Sequence, residues 1–163
     1  ARMFAATGTL FAQVSAAGDG TANILSSLVI EKEPSYLYID FGDIVSPSSV
    51  STVTIAAELG VERTSTGDVV LLTSNDGHPA RFNITGLENA TVLLSIEESF
   101  LLSYDGTNTM VAEPFLSNET VTLSLFGYAH FFVGGTLTVG ANQFPNPKPI
   151  TYTGTFHLTA EYQ

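Results

Sequence analysis

Residues 154–163 read GTFHLTAEYQ, and apolar Phe156, Leu158, Ala160 and Tyr162 occupy every second position. A period of two is typical of a β-strand with one buried and one solvated face. The alternation predicts a terminal strand within 150–163. Such a strand needs a neighbour, because an uncovered strand edge leaves backbone groups unpaired and promotes aggregation.

A second alternating stretch lies near the other end of the sequence, where residues 7–16 read TGTLFAQVSA. One face of this predicted strand carries small and medium apolar residues: Gly8, Leu10, Ala12, Val14 and Ala16. The link that follows, AAGDGTAN (16–23), consists of small residues and is expected to be flexible. Two arrangements fit this pattern. Residues 6–16 are either the first strand of a self-contained monomer or a donor strand that inserts into a neighbouring copy.

Alternation recurs along most of the remaining chain. It predicts strands at 26–32, 36–44, 50–57, 68–73, 80–85, 91–96, 109–115, 119–126 and 129–140. Asp-Gly pairs and prolines separate these runs. AAELGVER (56–63) and EESFLL (97–102) suit at most a single helical turn. Short strands at this spacing predict an antiparallel, immunoglobulin-like β-sandwich over 24–163, preceded by the strand and link of 1–23, with a closed barrel as the alternative.

Composition and charge limit the classes of partner. The chain has five Lys or Arg against sixteen Asp or Glu, a net charge of −11. The five cations are scattered, so nucleic-acid binding is not expected, because phosphate contacts need clustered Lys and Arg. A hydrophobic fraction of 44% indicates a folded domain rather than a disordered chain. No apolar run has the length of a membrane-spanning helix.

The sequence contains no cysteine, which excludes disulfides and Cys-ligated metal sites. This absence does not decide the compartment. The sequence begins with Ala rather than Met, and its simplest interpretation is a mature chain from which a signal peptide has been cleaved, with an expression scar or an incomplete start as alternatives. We therefore expect an extracellular or cell-surface protein.

Side chains with catalytic or metal-binding chemistry form no recognised motif. His78, His130 and His157 lack the spacing of zinc ligands, and no Gly-x-Ser-x-Gly elbow is present. Asn75-Asp76 and Asp105–Asn108 are rich in oxygen ligands, but Asp-Gly is more typical of a hairpin turn than of a calcium loop. We expect no enzyme, no cofactor and no metal. A hydrolase that uses His130 or His157 with a Ser and an Asp is the least favoured alternative.

Two further patterns have competing interpretations. Asn83, Asn89 and Asn118 begin triplets that match the N-glycosylation acceptor pattern, which a threonine-rich chain also produces by chance. The pair Phe131-Phe132, with Phe126 and Tyr128, is expected mainly in the core. The alternative is an exposed aromatic strip that binds sugar.

Three segments resemble an uncharacterised family of secreted bacterial β-domains. They are YIDFGDIVSPSSVSTVTI (38–55), GDVVLLTSNDGHPARFNITGLENATVLLSI (67–96) and GGTLTVGANQ (134–143) followed by YTGTFHLTAEYQ (152–163). The resemblance covers roughly residues 26–163. It implies a secreted β-domain and no particular activity.

The C-terminal alternation, with Tyr162 one residue from the end, is similar to the last strand of chaperone–usher pilins and spore-coat-U-type pilins. In those subunits an incomplete immunoglobulin-like fold is completed by the N-terminal extension of the next subunit. The resemblance implies an acceptor groove lined by Gly154, Phe156, Leu158, Ala160 and Tyr162, filled by the apolar face of residues 6–16. It also implies identical subunits as partners, with an assembly chaperone and an outer-membrane usher. Many such pilins carry a cysteine pair that this chain lacks.

These observations together predict a non-enzymatic subunit of an extracellular filament, assembled head to tail by donor-strand exchange. The alternative is a monomeric secreted adhesin or carbohydrate-binding β-sandwich.

Overall fold

A computed structural model describes residues 13–144 and 150–163. These residues form strands and connecting loops, with no helix among them, and hence none that could cross a membrane. The twelve strands are β1 (Val29–Lys32), β2 (Ile44–Val45), β3 (Ser51–Ile55), β4 (Thr64–Thr66), β5 (Val70–Leu71), β6 (Ala80–Thr85), β7 (Thr91–Ile96), β8 (Phe100–Ser103), β9 (Thr109–Leu116), β10 (Thr120–Thr122), β11 (Tyr128–Val139) and β12 (Leu158–Tyr162).

All strand pairs are antiparallel, and β11 organises the larger sheet. The first half of β11 pairs with β6, and its second half pairs with β3 and with β9. Strands β1, β4 and β8 extend this seven-stranded sheet. A three-stranded sheet has the order β10-β7-β12, and β2 pairs with β5.

The two main sheets share one apolar core. Ile84 of β6 and Phe131 of β11 belong to the same buried cluster as Val92 and Leu94 of β7. The rings of Phe82 and Phe131 are stacked, with centroids 5.5 Å apart. The alternation of buried and open side chains along β3, β6 and β7 matches the period of the pleat. The predicted all-β antiparallel sandwich is therefore confirmed.

The prediction of individual strands is right where one face is fully buried. Strands β6 and β7 have the predicted bounds, 80–85 and 91–96. Residues 36–44 are different, because they form only an isolated bridge, Asp40↔His78, before β2 begins at Ile44. Their alternation reflects two side chains, Ile39 and Phe41, that are buried in the core without a continuous ladder.

Two strands were not predicted. β4 (Thr64–Thr66) is exposed and polar, so it has no apolar period to detect. β8 (Phe100–Ser103) falls in a stretch expected to form at most a helical turn, and it pairs instead with β9. Residues 56–63, the other candidate for a helical turn, contain no helix.

Candidate functional site

The last strand, β12, lies at an edge of its sheet. It pairs with β7, and within the described residues nothing pairs with its other side. The inward residues Leu158, Ala160 and Tyr162 remain only half-buried. Their register partner Leu94, opposite Ala160, is 3% exposed. The central strand is thus covered, whereas the edge strand leaves its apolar face partly open.

The first described strand, β1, shows the same asymmetry in the opposite sheet. It pairs with β6 and lies at the end of the strand order. Its inward Ile30 is half-buried, although the register partner Ile84 is 0% exposed. Strands β1 and β12 are therefore two open edges, one in each sheet of the sandwich.

One end of the space between β1 and β12 is closed by Tyr162. Its hydroxyl accepts a hydrogen bond from Leu87 N at 2.7 Å and donates one to Ser26 O at 2.7 Å. Gly86 allows this approach, because a Cβ at that position would lie 2.5 Å from the Tyr162 hydroxyl and 2.7 Å from Leu28 Cδ2.

The other end of this space is marked by an aromatic group. The ring of Phe156 lies 6.1 Å from Phe82, edge to face, and 5.3 Å from Phe100. Phe82 is opposite Lys32, the last residue of β1. Leu28 is thus beside Tyr162 at one end, and Lys32 is near Phe156 at the other, so β1 and β12 run in opposite directions.

We use the name β1–β12 cleft for the apolar side chains of these two edges that are half-buried and packed against the core: Leu28, Ile30, Phe156, Leu158, Ala160 and Tyr162. Four of the five predicted acceptor residues belong to this set. Gly154 does not belong to it, because Thr153 forms a backbone bridge with Ser103 of β8, which places residues 152–154 beside that strand. The terminal strand is accordingly shorter than predicted and begins at Leu158.

Most of the predicted donor face is outside the described residues, namely Gly8, Leu10 and Ala12. The other two donor residues, Val14 and Ala16, are exposed and lie outside any strand, and Val14 is 94% exposed. Residues 13–27 are exposed throughout and lead to Leu28, at the Tyr162 end of the cleft. We call them the N-terminal arm.

The candidate residues for other chemistry are dispersed. His78 is 4.0 Å from Asp40, and His157 is 3.7 Å from Glu97. His130 lies on the exposed face of β11. Among residues 13–144 and 150–163, no group of His, Asp or Glu is arranged to hold a metal ion.

The oxygen-rich turn at Asp105 has an internal role. The Asp105 carboxylate accepts hydrogen bonds from the backbone N of Thr107 and Asn108, at 2.9 and 2.7 Å, and from the Asn108 side chain at 2.7 Å. Hydrogen bonds from Asn108 and Thr107 lower the pKa of Asp105. This arrangement matches the hairpin turn expected for Asp-Gly.

The aromatic residues of the β11 region divide between core and surface. Phe131 is 1% exposed and lies in the core, as expected. Tyr128, His130 and Phe132 follow one another on the outer face, with ring centroids 6.4 and 5.8 Å apart. Phe126, expected in the core, is instead exposed in the turn before β11.

A comparison with family models agrees with the resemblance to an uncharacterised domain family. No curated protein matches the chain, and no solved structure matches it. One family model matches residues 30–162, which include β12 and all of β1 except Val29. The chain therefore belongs to the family described as Domain of unknown function (DUF4402).

Proposed function

We propose that this protein is a structural subunit of an extracellular filament, in which residues 6–16 of one copy fill the β1–β12 cleft of the next. The observation that carries the proposal is the open apolar face between the two edge strands. An added strand there would pair with backbone on both sides and cover the lining residues. The exposed N-terminal arm supports the proposal, because it holds Val14 away from the rest of the chain.

The chemistry of the donor face suits the cleft. Gly8, Ala12 and Ala16 are small, and they alternate with the larger Leu10 and Val14. Burial of a Leu or Val side chain contributes about 1.5–3 kcal/mol each. A strand of about ten residues extends roughly 33 Å, which exceeds the length of β12. Such an insertion would therefore combine apolar burial with continuous backbone pairing.

Two directions are open to a donor strand. Because β1 and β12 run in opposite directions, a strand inserted between them is antiparallel to one and parallel to the other, whichever way it runs. A donor antiparallel to β12 would start beside Tyr162 and end beside Phe156, and within one molecule residues 17–26 would then have to run back along the cleft to reach Ser26. Between molecules, the same link connects the end of one subunit to the opposite end of the next, which gives the head-to-tail filament that we propose.

A cell-surface location, reached after cleavage of a signal peptide, belongs to the same proposal. An assembly chaperone would keep the cleft occupied before assembly, and an outer-membrane usher would export the subunits. The alternating terminal segments, which resemble those of pilins, support this part of the proposal, whereas the missing cysteine pair distinguishes this chain from many chaperone–usher pilins.

A second candidate function is carbohydrate binding by the monomer. It is favoured by the outer-face row of Tyr128, His130 and Phe132. The Arg81 guanidinium carbon lies 5.9 Å from the Phe132 ring centroid. The Tyr128 hydroxyl donates to Asn83 Oδ1 at 2.9 Å. Aromatic rings beside fixed polar groups suit the binding of a sugar.

The deciding experiment is negative-stain electron microscopy of the full chain and of two matched double variants. Leu10→Asp/Val14→Asp places charge on the predicted donor face. Thr9→Asp/Gln13→Asp places the same charge on the opposite face. We expect filaments from the unchanged chain and the control, and single particles from the donor-face variant.

A chain that lacks residues 1–16, imaged in the same way, should also give single particles. Filaments from the donor-face variant or from the shortened chain would contradict donor-strand exchange. Single particles from all samples would instead favour a monomeric domain, and a glycan array would then test the outer-face row.

A further inference from the structure

The guanidinium of Arg81, on the outer face of β6, is little used by the fold. Within residues 13–144 and 150–163 it bonds to the Tyr128 hydroxyl, at 3.4 Å, and forms no ion pair with Asp or Glu. Its Nε is buried and has no partner among these residues. A guanidinium carries five N–H donors, and buried donors are normally bonded. Most of the donor capacity of Arg81 is therefore left open.

Arg63 provides a contrast within the same chain. Its guanidinium donates to Phe41 O at 2.7 Å and also to Leu72 O, so it joins two segments through backbone carbonyl groups. The side chain of Arg63 is thus part of the structure of the domain. Arg81 makes no such backbone contact through its guanidinium, and its donors remain available to a ligand.

The position of the Arg81 guanidinium is nevertheless defined. Its carbon lies 5.9 Å from the centroid of the Phe132 ring, a distance at which a cation is attracted to an aromatic face. Phe132 is opposite Arg81 in the register of β6 and β11. The Tyr128 hydroxyl that accepts from Arg81 donates in turn to Asn83 Oδ1, at 2.9 Å. A group held in this way loses little conformational entropy when it binds.

A carboxylate lies at the other end of the same chain of hydrogen bonds. Asn83 Nδ2 donates to Glu33 Oε2 at 2.8 Å, and Glu33 N donates to Arg81 O at 2.9 Å. Glu31, opposite Asn83 on β1, is exposed. The surface beside the outer-face row therefore offers hydrogen-bond donors at Arg81 and acceptors at Glu33.

We propose that the outer-face row binds an uncharged glycan, whose hydroxyl groups accept hydrogen bonds from Arg81 and donate to Glu33. This inference rests on the second candidate function and names the class of sugar. A hydroxyl group both donates and accepts, so one glycan suits an arginine and a carboxylate on the same face. The rings of Tyr128 and His130 supply apolar contact beside these polar groups.

Charge selects the uncharged class of glycan. Glu31 and Glu33 outnumber Arg81 on this part of the surface, and the whole chain has a net charge of −11. Lys32 does not change this balance, because successive side chains of a strand point to opposite faces. An acidic sugar would gain one partner and meet two like charges, which oppose association. A cationic sugar would leave the Arg81 donors without acceptors.

A glycan array tests the inference on the full chain. It holds oligomers of glucose, mannose and galactose together with the matched oligomers of glucuronate, mannuronate and galacturonate. We expect an uncharged oligomer to bind and its uronic-acid counterpart to bind more weakly. Arg81→Gln and Glu33→Gln should each weaken binding by about tenfold or more, as expected for the loss of a hydrogen bond to a charged group. The control is Glu113→Gln, which removes the same charge from the exposed side of β9 and should bind normally.

The possible results separate this inference from the functions on which it depends. Preferred binding of uronic-acid oligomers would overturn it and leave carbohydrate binding in place. Unchanged binding by Arg81→Gln, with or without a lower Tm, would also overturn it. If no glycan binds, the second candidate function fails and this inference fails with it. Filament formation is a separate property, which the microscopy measures.

Discussion

The hydroxyl of Tyr162 joins the last strand to two other segments of the chain. It bonds to the backbone of Leu87 in the β6–β7 turn and to the backbone of Ser26 in the N-terminal arm. Because it satisfies one donor and one acceptor of the main chain, this single group holds the arm to the end of the β1–β12 cleft.

Tyr162→Phe should lower the free energy of unfolding by about 1 kcal/mol, since both backbone groups lose their partner at a partly open site. Urea denaturation followed by fluorescence measures this change. The control is Tyr128→Phe, whose hydroxyl bonds only to side chains on the exposed face. The free energy of unfolding of Tyr128→Phe should fall by no more than about 0.5 kcal/mol. Equal losses in the two variants would show that the Tyr162 bonds have no special role.

Asp68 organises the loop before β3. Its carboxylate accepts hydrogen bonds from the side chains and backbone N of Ser48 and Ser49, including 2.8 Å from Ser49 Oγ. Side-chain hydrogen bonds from Ser48 and Ser49 hold the pKa of Asp68 well below its usual range. A carboxyl group whose pKa falls on folding stabilises the protein above its unfolded pKa, and this contribution is lost as the pH falls through the folded pKa.

Asp68→Asn should therefore lower Tm at neutral pH, and the difference from the unchanged protein should shrink below about pH 4, the usual pKa of aspartate. Thermal melts from pH 7 downward provide the measurement. Asp19→Asn, in the exposed arm, serves as the control and should leave Tm unchanged. A difference that grows toward acid pH would contradict the assigned role of the Asp68 carboxylate.

At the scale of elements, β1 and β12 matter because each has a neighbour on only one side among the described strands. Their inward side chains are half-buried, whereas Ile84 on β6 and Val92 and Leu94 on β7 are buried. The difference follows from sheet position and not from residue type, since Ile30 and Ile84 are the same amino acid in the same register.

Ala160→Phe should fill the β1–β12 cleft and obstruct a donor strand. Overpacking of this kind costs about 1–3 kcal/mol, which corresponds to an increase of roughly fivefold to 150-fold in the critical concentration for assembly. Sedimentation of filaments at several protein concentrations measures this value. Thr159→Phe places the same ring on the outer face and should assemble normally. Equal assembly of both variants would show that the cleft is not the acceptor.

At the scale of the whole molecule, the proposed function makes stability depend on a strand from another copy. A ligand that binds only the folded state raises stability by mass action, by about 2.7 kcal/mol at a concentration a hundredfold above its Kd. For a domain of this size, that corresponds to a rise in Tm of roughly 5–10 °C.

A synthetic peptide of residues 6–16, ATGTLFAQVSA, should produce such a rise when added to the non-assembling variant Leu10→Asp/Val14→Asp. The control peptide exchanges Leu10 with Thr9 and Val14 with Gln13, which keeps the composition and moves the apolar residues to the other face. Calorimetry of both mixtures gives the comparison. No rise with the native peptide, or an equal rise with the control, would contradict binding in a specific register.

The alternation of apolar and polar residues correctly predicted the all-β class and the bounds of β6 and β7. Each of these two strands has a buried face, which requires an apolar residue at every second position. The alternation also placed Phe156, Leu158, Ala160 and Tyr162 on one face, and all four are half-buried against the core. It failed for β4, which buries nothing, and for residues 36–44, whose alternating apolar side chains enter the core without a ladder.

The long-range pairing decided the rest. Gly154 shares the alternation of the last strand, yet residues 152–154 are bound to β8, and β12 starts only at Leu158. Phe126 was expected in the core and is exposed, because it lies in the turn at Ser124–Gly127 rather than in a strand. Alternation is a property of neighbouring residues, whereas an open edge depends on which distant strands pair. The cleft therefore emerged only when the fold brought β1 and β12 to facing edges of the sandwich.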